Sequence, residues 1–126
     1  MKSSYSLQLN IDRLDRASEL AFRDTAFLLG RKFTEVISEP RQWQGWSGAR
    51  DIVDMGQLRA SQQLVFTKPL EAVFSWSTEY AVYVHEGYTL RNGKEVPGRP
   101  WTQVAIQEFD VQGTFEQRYR ESVNKI

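Results

Sequence analysis

The sequence predicts an α+β fold with a long N-terminal helix, a small antiparallel sheet with a protruding β-hairpin, and a C-terminal helix. Apolar residues recur at helical spacing between Ile11 and Ile37. Two strand-like segments separated by a proline follow within 61–76, and helical spacing returns after Pro100. A helix, an antiparallel sheet and a helix in this order are typical of an α+β domain.

The composition is that of an ordinary globular domain, and it excludes several kinds of site. A length of 126 residues predicts one domain spanning 1–126, with 40% hydrophobic and 25% charged residues. The 16 Lys and Arg residues balance 16 Asp and Glu, whereas a dedicated nucleic-acid binder usually has a basic excess. The chain has no cysteine, which excludes disulfides, thiolate nucleophiles and cysteine-ligated metals. No apolar run is long enough for a signal peptide or a membrane helix, so no membrane partner is expected.

The first elements expected are a short strand and a long helix. Residues 4–9 alternate and place three apolar side chains on one side: Tyr5, Leu7 and Leu9. Asn10 is a candidate N-cap for a helix over 11–37. The apolar stripe predicted for this helix consists of Leu14, Ala17, Ala21 and Leu28, widened by Leu20, Phe27 and Val36. Gly30 allows a bend or break within the helix, and Pro40 ends it because proline disfavours helical geometry at the preceding residue.

The segment 41–49 is predicted to be a loop, because it contains two tryptophans and two glycines without clear periodicity. Exposed tryptophan is costly, so Trp43 and Trp46 are expected either to fold back onto the core or to contact another subunit. The sequence leaves both alternatives open, and both tryptophans are therefore candidate interface residues.

An antiparallel hairpin is expected next. Residues 61–66 and 72–76 are strand-like, and the proline-containing segment 67–70 is compatible with a turn between them. Residues 57–60 are a possible extension of the first strand. Residues 79–86 fit both a helical and a strand face, and a short helical turn is favoured.

A second hairpin is predicted around Asn92 and Gly93. Asn-Gly between extended residues is the strongest short-range signal for a two-residue type I′ turn. This turn would raise Arg91 and Lys94 to an exposed tip, where they would either contact an adjoining subunit or ring or belong to a passive, solvated loop. The candidate interface residues in this hairpin are therefore Arg91, Asn92, Gly93 and Lys94.

The C-terminal helical segment begins at Pro100, which suits the first position of a helix. Apolar side chains follow at helical spacing: Trp101, Val104, Ala105 and Phe109. Gly113 is predicted to break or kink this pattern, which then resumes with Phe115, Tyr119 and Val123.

The adjacent pair His85 and Glu86 is the obvious place to look for chemistry, since a histidine beside a carboxylate can act as a general base or a metal ligand. However, neighbouring residues point in different directions in regular structure, and the chain has no second histidine and no HExxH spacing. It also contains neither GxSxG nor a glycine-rich phosphate loop. We therefore expect a structural or interface histidine, no catalytic residue, no metal and no cofactor, which means that the chain is not expected to be an enzyme.

Arg99 is expected to have a fixed direction, because Pro97 and Pro100 limit the backbone on both sides. A fixed guanidinium suits a bidentate carboxylate partner, and Glu86 is the nearest plausible acceptor across the base of the hairpin. Glu86, Arg99 and Trp101 are therefore candidates for a structural brace between the hairpin and the C-terminal helix. The alternative is that Arg99 contacts a phosphate or a partner protein.

Two segments carry a resemblance to a known family. Residues 51–61 read DIVDMGQLRAS, and YAVYVHEG at 80–87 is followed by PGRPW at 97–101. In this order they resemble the patterns VDTGxLRxS and YAxYVxxG…PxRPF/W of the tail-completion proteins of long-tailed bacteriophages, also called minor tail components or head–tail joining proteins. Met55 stands where the family usually has threonine, and Gly98 stands where alanine is common.

The resemblance, which covers residues 11–110, implies a structural virion protein and not an enzyme. Such proteins look like subunits of typically hexameric rings that join or terminate the tail at the head–tail interface. The implied partners are further copies of the chain, head-closure or connector proteins, and tail-tube or tail-terminator proteins, while genome DNA only passes through the channel. The implied location is the neck of the virion, assembled in the host cytoplasm.

Two other classes of function remain open on the sequence alone. One is a small nucleic-acid-binding or regulatory protein, in which aromatic residues interleaved with Arg91, Lys94 and Arg99 stack on single-stranded nucleic acid. The other is a toxin-like or hydrolytic enzyme. Ring assembly agrees better with the surplus of aromatic residues, and it requires two different faces on each subunit. The β edge with the tryptophan loop is a candidate for one face, and the hairpin tip is a candidate for the other.

Overall fold

A long helix packs against a small antiparallel sheet, which confirms the predicted α+β fold. The computed structural model describes residues 4–10, 16–39, 41–45, 49–50 and 55–125. Its helices are α1 (Arg16–Ser38), α2 (Met55–Ala60), α3 (Ala81–Glu86), α4 (Trp101–Glu108) and α5 (Val111–Lys125). Its strands are β1 (Tyr5–Asn10), β2 (Arg41–Gln42), β3 (Ala49–Arg50), β4 (Gln62–Lys68), β5 (Glu71–Trp76), β6 (Gly87–Thr89) and β7 (Glu95–Pro97).

The main sheet has three strands in the order β1-β5-β4, and both outer strands run antiparallel to β5. Alternation along β5 buries one face of the strand completely, as predicted, with Ala72, Phe74 and Trp76. On the outer strands the apolar side chains of the same face are only half-buried: Tyr5, Leu7, Leu64 and Phe66. The predicted strands at 4–9, 61–66 and 72–76 are confirmed.

Helix α1 buries a broader face than the predicted stripe. Phe33 lies at its centre, with its ring packed edge-on against Phe74 and Trp76 at centroid distances of 5.0 and 5.2 Å. The buried face includes polar and small residues that hydropathy alone does not mark: Ser18, Thr25 and Gly30. It is broad because α1 packs against the sheet through Phe33 and also against α4 and α5.

The predicted stripe was therefore correct only in part. Ala17, Ala21 and Val36 are buried, but Leu20 and Leu28 are half-buried and Phe27 is 53% exposed. Phe27 instead lies at the margin of the helix, with its ring edge-on to Phe66. Leu14 and the predicted first turn of the helix, from residue 11, lie outside the described residues. Asn10, the predicted N-cap, is the last residue of β1.

The break that Gly30 allows does not occur, because α1 is continuous through this residue. Gly30 is instead buried against the sheet, where a Cβ would lie at an ordinary contact distance of 3.4 Å from the ring of Phe74. Gln62 Nε2 donates a hydrogen bond to the Gly30 carbonyl at 2.9 Å, and Gln62 Oε1 accepts one from Trp76 Nε1 at 3.2 Å. Gln62 thus links α1 to both β4 and β5.

Two segments before β4 differ from the sequence prediction. The ends of the predicted loop 41–49 form the two-residue pair β2–β3, with Arg41 opposite Arg50. Residues 57–60 do not extend β4 but belong to α2, because a helical turn buries Leu58 and leaves its neighbours exposed. Arg59 of α2 donates a hydrogen bond to Ser38 Oγ at the end of α1 at 2.7 Å.

The C-terminal segment forms two helices. Pro100 lies at the N-cap of α4 and not, as was predicted, at the first helical position, because the helix begins at Trp101; the Pro100 carbonyl accepts from Val104 N at 3.2 Å. The break occurs before Gly113, because Asp110 caps α5 by accepting from Gly113 N through Oδ1 at 2.9 Å. The prediction that Gly113 itself breaks the helix is therefore wrong.

Glu108 connects the end of α4 to two other elements. Its carboxylate lies 3.0 Å from Lys32 Nζ on α1 and 2.7 Å from an Arg41 guanidinium nitrogen on β2. The hydrogen bond from Arg41, and then that from Lys32, hold the pKa of Glu108 below its usual value. The three side chains are partly exposed, so their contribution to stability is expected to be small.

Candidate functional site

The β6–β7 hairpin is present, but its turn is not the predicted two-residue turn. Gly93 N donates to Leu90 O at 2.9 Å, which places Arg91 and Asn92 at the centre of the turn. Gly93 follows with φ of 86°, and Leu90 N donates to Lys94 O at 2.8 Å. This is the three-residue loop in which a turn is followed by a left-handed glycine. The two-residue turn is excluded because the backbone N–H of Lys94 donates a hydrogen bond to Asn92 Oδ1, at 2.9 Å.

Glycines let the base of the hairpin pack closely on α3. Gly87 has φ of 85° and ψ of 174°, a combination that is essentially restricted to glycine. A Cβ at Gly98 would lie only 2.5 Å from the His85 carbonyl oxygen, so this position also requires a hydrogen in place of a side chain. The next residue, Arg99, donates its main-chain N–H to Val84 O at 2.7 Å. The base is therefore held by close contact between backbone segments.

His85 is the buried centre of this base. Its Nδ1 lies 2.6 Å from Glu86 Oε1, and its Nε2 lies 2.6 Å from Thr102 Oγ1 on α4. A carboxylate only accepts hydrogen bonds, so Nδ1 carries the proton and donates to Glu86, while Nε2 accepts from the Thr102 hydroxyl. The expectation that residues 85 and 86 point apart is wrong, because Glu86 ends α3 and its side chain reaches back to the ring.

Aromatic rings enclose His85. Tyr5 of β1 stacks on the imidazole at a centroid distance of 4.1 Å, and Trp101 of α4 meets it edge-on at 4.8 Å. Trp101 in turn packs on Trp76 of β5 at 5.4 Å. Burial lowers the pKa of His85 below its usual value, although the hydrogen bond and charge of Glu86 act in the opposite direction. A neutral His85 therefore joins β1, α3 and α4.

The order Thr102, His85, Glu86 is that of a nucleophile, a base and an orienting carboxylate. Thr102 is only 2% exposed, however, and the ring of His85 is enclosed by Tyr5 and Trp101. A substrate carbonyl would have to reach the threonine oxygen to react. The arrangement is therefore suited to holding three elements together, and its burial disfavours catalysis.

We expect the stability of the protein to fall in mild acid because of His85. The folded-state pKa lies below the usual 6.5, so the unfolded chain binds the proton first as the pH falls. The stability due to neutral His85 is complete above 6.5 and is lost towards the folded-state pKa, by at most about 1.4 kcal/mol per pH unit. Urea unfolding of the natural protein and of His85→Gln, measured at neutral and at mildly acidic pH, tests this. The variant lacks the only histidine, so an equal pH dependence in both proteins would contradict the prediction.

Among the ion pairs of the described residues, Glu86 is paired with His85 and not with Arg99, its expected partner. The Glu86 carboxylate binds His85 Nδ1, and the link across the base of the hairpin that Arg99 was expected to provide is made by His85. Arg99 itself is only 5% exposed. Because its side chain is buried, Arg99 is also not presented to a phosphate or a partner protein at the surface. Trp101, the third residue of the predicted brace, is fully buried beside His85.

The structure separates the other predicted interface residues into two groups. Trp43 is only 2% exposed and belongs to the hydrophobic core, so it is not available to another subunit. Of the two alternatives for Trp43, folding back onto the core is therefore the correct one. Trp46 lies outside the described residues. The tip residues Arg91, Asn92, Gly93 and Lys94 are all exposed.

In the described part of the chain, the surfaces available for contact include the hairpin and a free edge of the main sheet. The first is the hairpin, where Tyr88 and Leu90 add exposed apolar side chains next to the tip. The second is the free edge of β4, which is flanked by a groove of about 250 Å³ between this strand and α1. The groove is lined by Phe27, Gly30, Arg31, Thr34, Gln62 and Leu64.

Known proteins give no match. No family model fits the chain, and no curated protein and no solved structure is significantly similar to it. The described residues contain no cluster of three or more His, Cys, Asp or Glu side chains that could hold a metal. None of the helices in the described part of the chain is long and apolar enough to cross a membrane. The resemblance to tail-completion proteins therefore rests on the two short motifs.

Sequence reasoning missed the Thr102 contact and the groove beside β4. Thr102 is far from His85 in the chain, and the hairpin brings them together by pairing Gly87 with Pro97. The Asn-Gly signal locates the turn of the hairpin. Pairing the residues outward from this turn would have placed the segment after Pro97 next to α3. The groove had no such signal, because it depends on which face α1 turns to the sheet.

Proposed function

We propose that this chain is a structural subunit of a bacteriophage neck, where it forms a ring that joins or terminates the tail. One observation carries the proposal. The motif segments 80–87 and 97–101 form α3, the buried base and the start of α4, while the residues between them form the exposed hairpin. The motif segments that resemble the tail-completion family thus form the base of the hairpin, and the segment between them is exposed for contact with a partner.

The burial of the polar chemistry supports a structural role over a catalytic one. His85 and Thr102 are enclosed in the core, and in the described residues the exposed hairpin has no histidine. An enzyme needs its reacting groups within reach of a substrate. We therefore expect no enzymatic activity and no cofactor.

A subunit of a neck ring needs separate surfaces for the next copy in its own ring and for the adjoining rings. The hairpin tip and the free edge of β4 are such a pair, since they belong to different sheets. In the proposed neck, the tip contacts the adjoining ring, which is a head-closure or connector protein on one side or a tail-tube or tail-terminator protein on the other. The edge contacts the next copy in the same ring.

Nucleic-acid binding is less well supported by the hairpin. The basic side chains of Arg91 and Lys94 at the tip are balanced by Glu86 and Glu95, which are also exposed. Binding to phosphates needs an excess of basic side chains, because affinity rises with the number of phosphates that are neutralised. The charges of the hairpin therefore do not favour nucleic-acid binding.

Deletion of the gene from the phage that encodes it tests the proposed function. We expect lysates of the deletion strain to contain filled heads and separate tails by electron microscopy, with infectivity restored when the natural gene is supplied in trans. Mass spectrometry of purified virions is expected to detect the chain. The proposal fails if joined, infectious particles form without the gene, or if purified virions do not contain the chain.

A further inference from the structure

Within the described residues, the two edge strands of the main sheet are unprotected along most of their length. β1 contains neither a charged residue nor a proline, and in β4 the charge of Lys68 and the register shift lie together at one end. Folded proteins usually protect a free edge with charges, prolines or bulges, because its unpaired N–H and C=O groups attract another strand. Within the described residues, β1 and β4 pair only with β5. Both edges are thus suited to pair with a further strand.

Both edges also leave apolar side chains incompletely covered. Leu7 on β1 and Leu64 on β4 are half-buried, whereas Phe74 between them on β5 is fully buried. Beside Leu64, the exposed ring of Phe27 lines the groove between α1 and β4. A strand added to β4 with an apolar residue on its inner face would cover these side chains, and burial of apolar surface favours such a contact.

The two edges match each other in level, face and direction. Leu7 is opposite Phe74, which is opposite Leu64, and by the same registers Ser6 is level with Gln63. The leucines lie on the buried face of the sheet, while Ser6 and Gln63 are exposed on the other face. β1 and β4 run in the same direction, since both are antiparallel to β5.

We propose that β4 of one copy pairs in parallel with β1 of the next copy, so that the sheet continues from subunit to subunit around the ring. This inference rests on the proposed function and deepens it, because it names the contact between the subunits. When the axis of the ring runs parallel to the strands, neighbouring copies are related by a rotation alone and are not displaced along the strand direction. Gln63 of one copy therefore lies level with Ser6 of the next, and Leu64 lies level with Leu7. The contact uses two different surfaces, as a closed ring requires.

Cross-linking with a short bismaleimide tests this contact, because the natural chain contains no cysteine. The double variant Ser6→Cys with Gln63→Cys places thiols at two exposed positions that the proposal brings together. We expect a ladder of covalent multimers, with about tenfold more product than the control pair Ser6→Cys with Gln112→Cys, because contact raises the effective concentration of the thiols. Gln112 is exposed on α5.

Single-cysteine proteins show whether the contact joins unlike edges. A mixture of the Ser6→Cys protein with the Gln63→Cys protein is expected to give cross-linked dimers and no larger species, because each chain carries one thiol. Each protein alone is expected to give little product. Dimers from the Gln63→Cys protein alone, formed as efficiently as in the mixture, would overturn the inference, since β4 would then meet β4.

A second pair protects the test against a variant that does not fold. Gln8 is level with Val65 through Val73, and both are exposed, so Gln8→Cys with Val65→Cys is expected to give the same ladder. Circular dichroism checks the fold of each variant. The inference is overturned if the folded variants form no ladder under any of these conditions, whether in solution at high protein concentration or in purified particles.

Particles distinguish this inference from the proposed function. If virions contain the double variants and join normally but give no ladder, the neck function stands and the contact between the edges fails. If purified protein gives the ladder while phages without the gene still form joined particles, the edge contact is supported and the neck function fails.

Discussion

Replacement of Trp101 with alanine is expected to lower the free energy of unfolding by about 3–5 kcal/mol, the range for removal of a large buried aromatic side chain. Trp101 is fully buried and contacts three other rings, those of Tyr5, Trp76 and His85. These rings belong to β1, β5 and α3, so the cavity would open where the sheet, the hairpin base and α4 meet. Urea unfolding of the natural protein and the variant measures the difference.

Ile106→Ala is the matched control, because it shortens a side chain on the same helix that is 42% exposed. Its effect is expected to stay within about 0.5 kcal/mol, which is usual for a surface substitution. A loss at Trp101 no larger than the loss at Ile106 would contradict the packing described for α4.

The main sheet could be predicted from the sequence because its central strand is locally unambiguous. Ala72, Phe74 and Trp76 alternate with more polar neighbours, and all three belong to the buried core. The buried face of α1 could not be predicted to the same degree. It depends on contacts with the sheet and with α4 and α5, which are distant in sequence, so Phe27 was expected inside and lies at an exposed margin. Tertiary contacts decide which apolar residues of a long helix are covered.

The hairpin shows a similar limit at a smaller scale. Asn92 and Gly93 correctly indicate a turn between two strands, but the side chain of Asn92 competes for the Lys94 amide and changes the loop. The base of the hairpin was harder still. Pairing of Arg99 with Glu86 was reasonable from charge alone. The Glu86 side chain reaches back to the buried His85, however, and its carboxylate binds the imidazole.

Replacement of Gly87 with alanine is expected to destabilise the protein by about 2–6 kcal/mol, combining about 1–3 for backbone strain and about 1–3 for overpacking. The strain arises because φ of 85° with ψ of 174° is a conformation that residues with a Cβ rarely adopt. The overpacking arises because the new Cβ would lie 2.6 Å from Val96 O and 2.7 Å from Gly98 N. Both atoms belong to the backbone and cannot move aside as a flexible side chain would.

Gly56→Ala in α2 is the matched control, since a Cβ there would meet nothing within 4 Å. Alanine favours helices over glycine, so this variant is expected to be neutral or more stable by up to about 1 kcal/mol. Urea unfolding compares the two variants, and particle assays add a second readout. If the hairpin is displayed by this base, Gly87→Ala should also reduce the yield of joined particles, at a temperature where the variant is still folded. Equal stability of the two alanine variants would mean that the backbone at residue 87 relaxes without cost, and the hairpin would then not be fixed by its contact with α3.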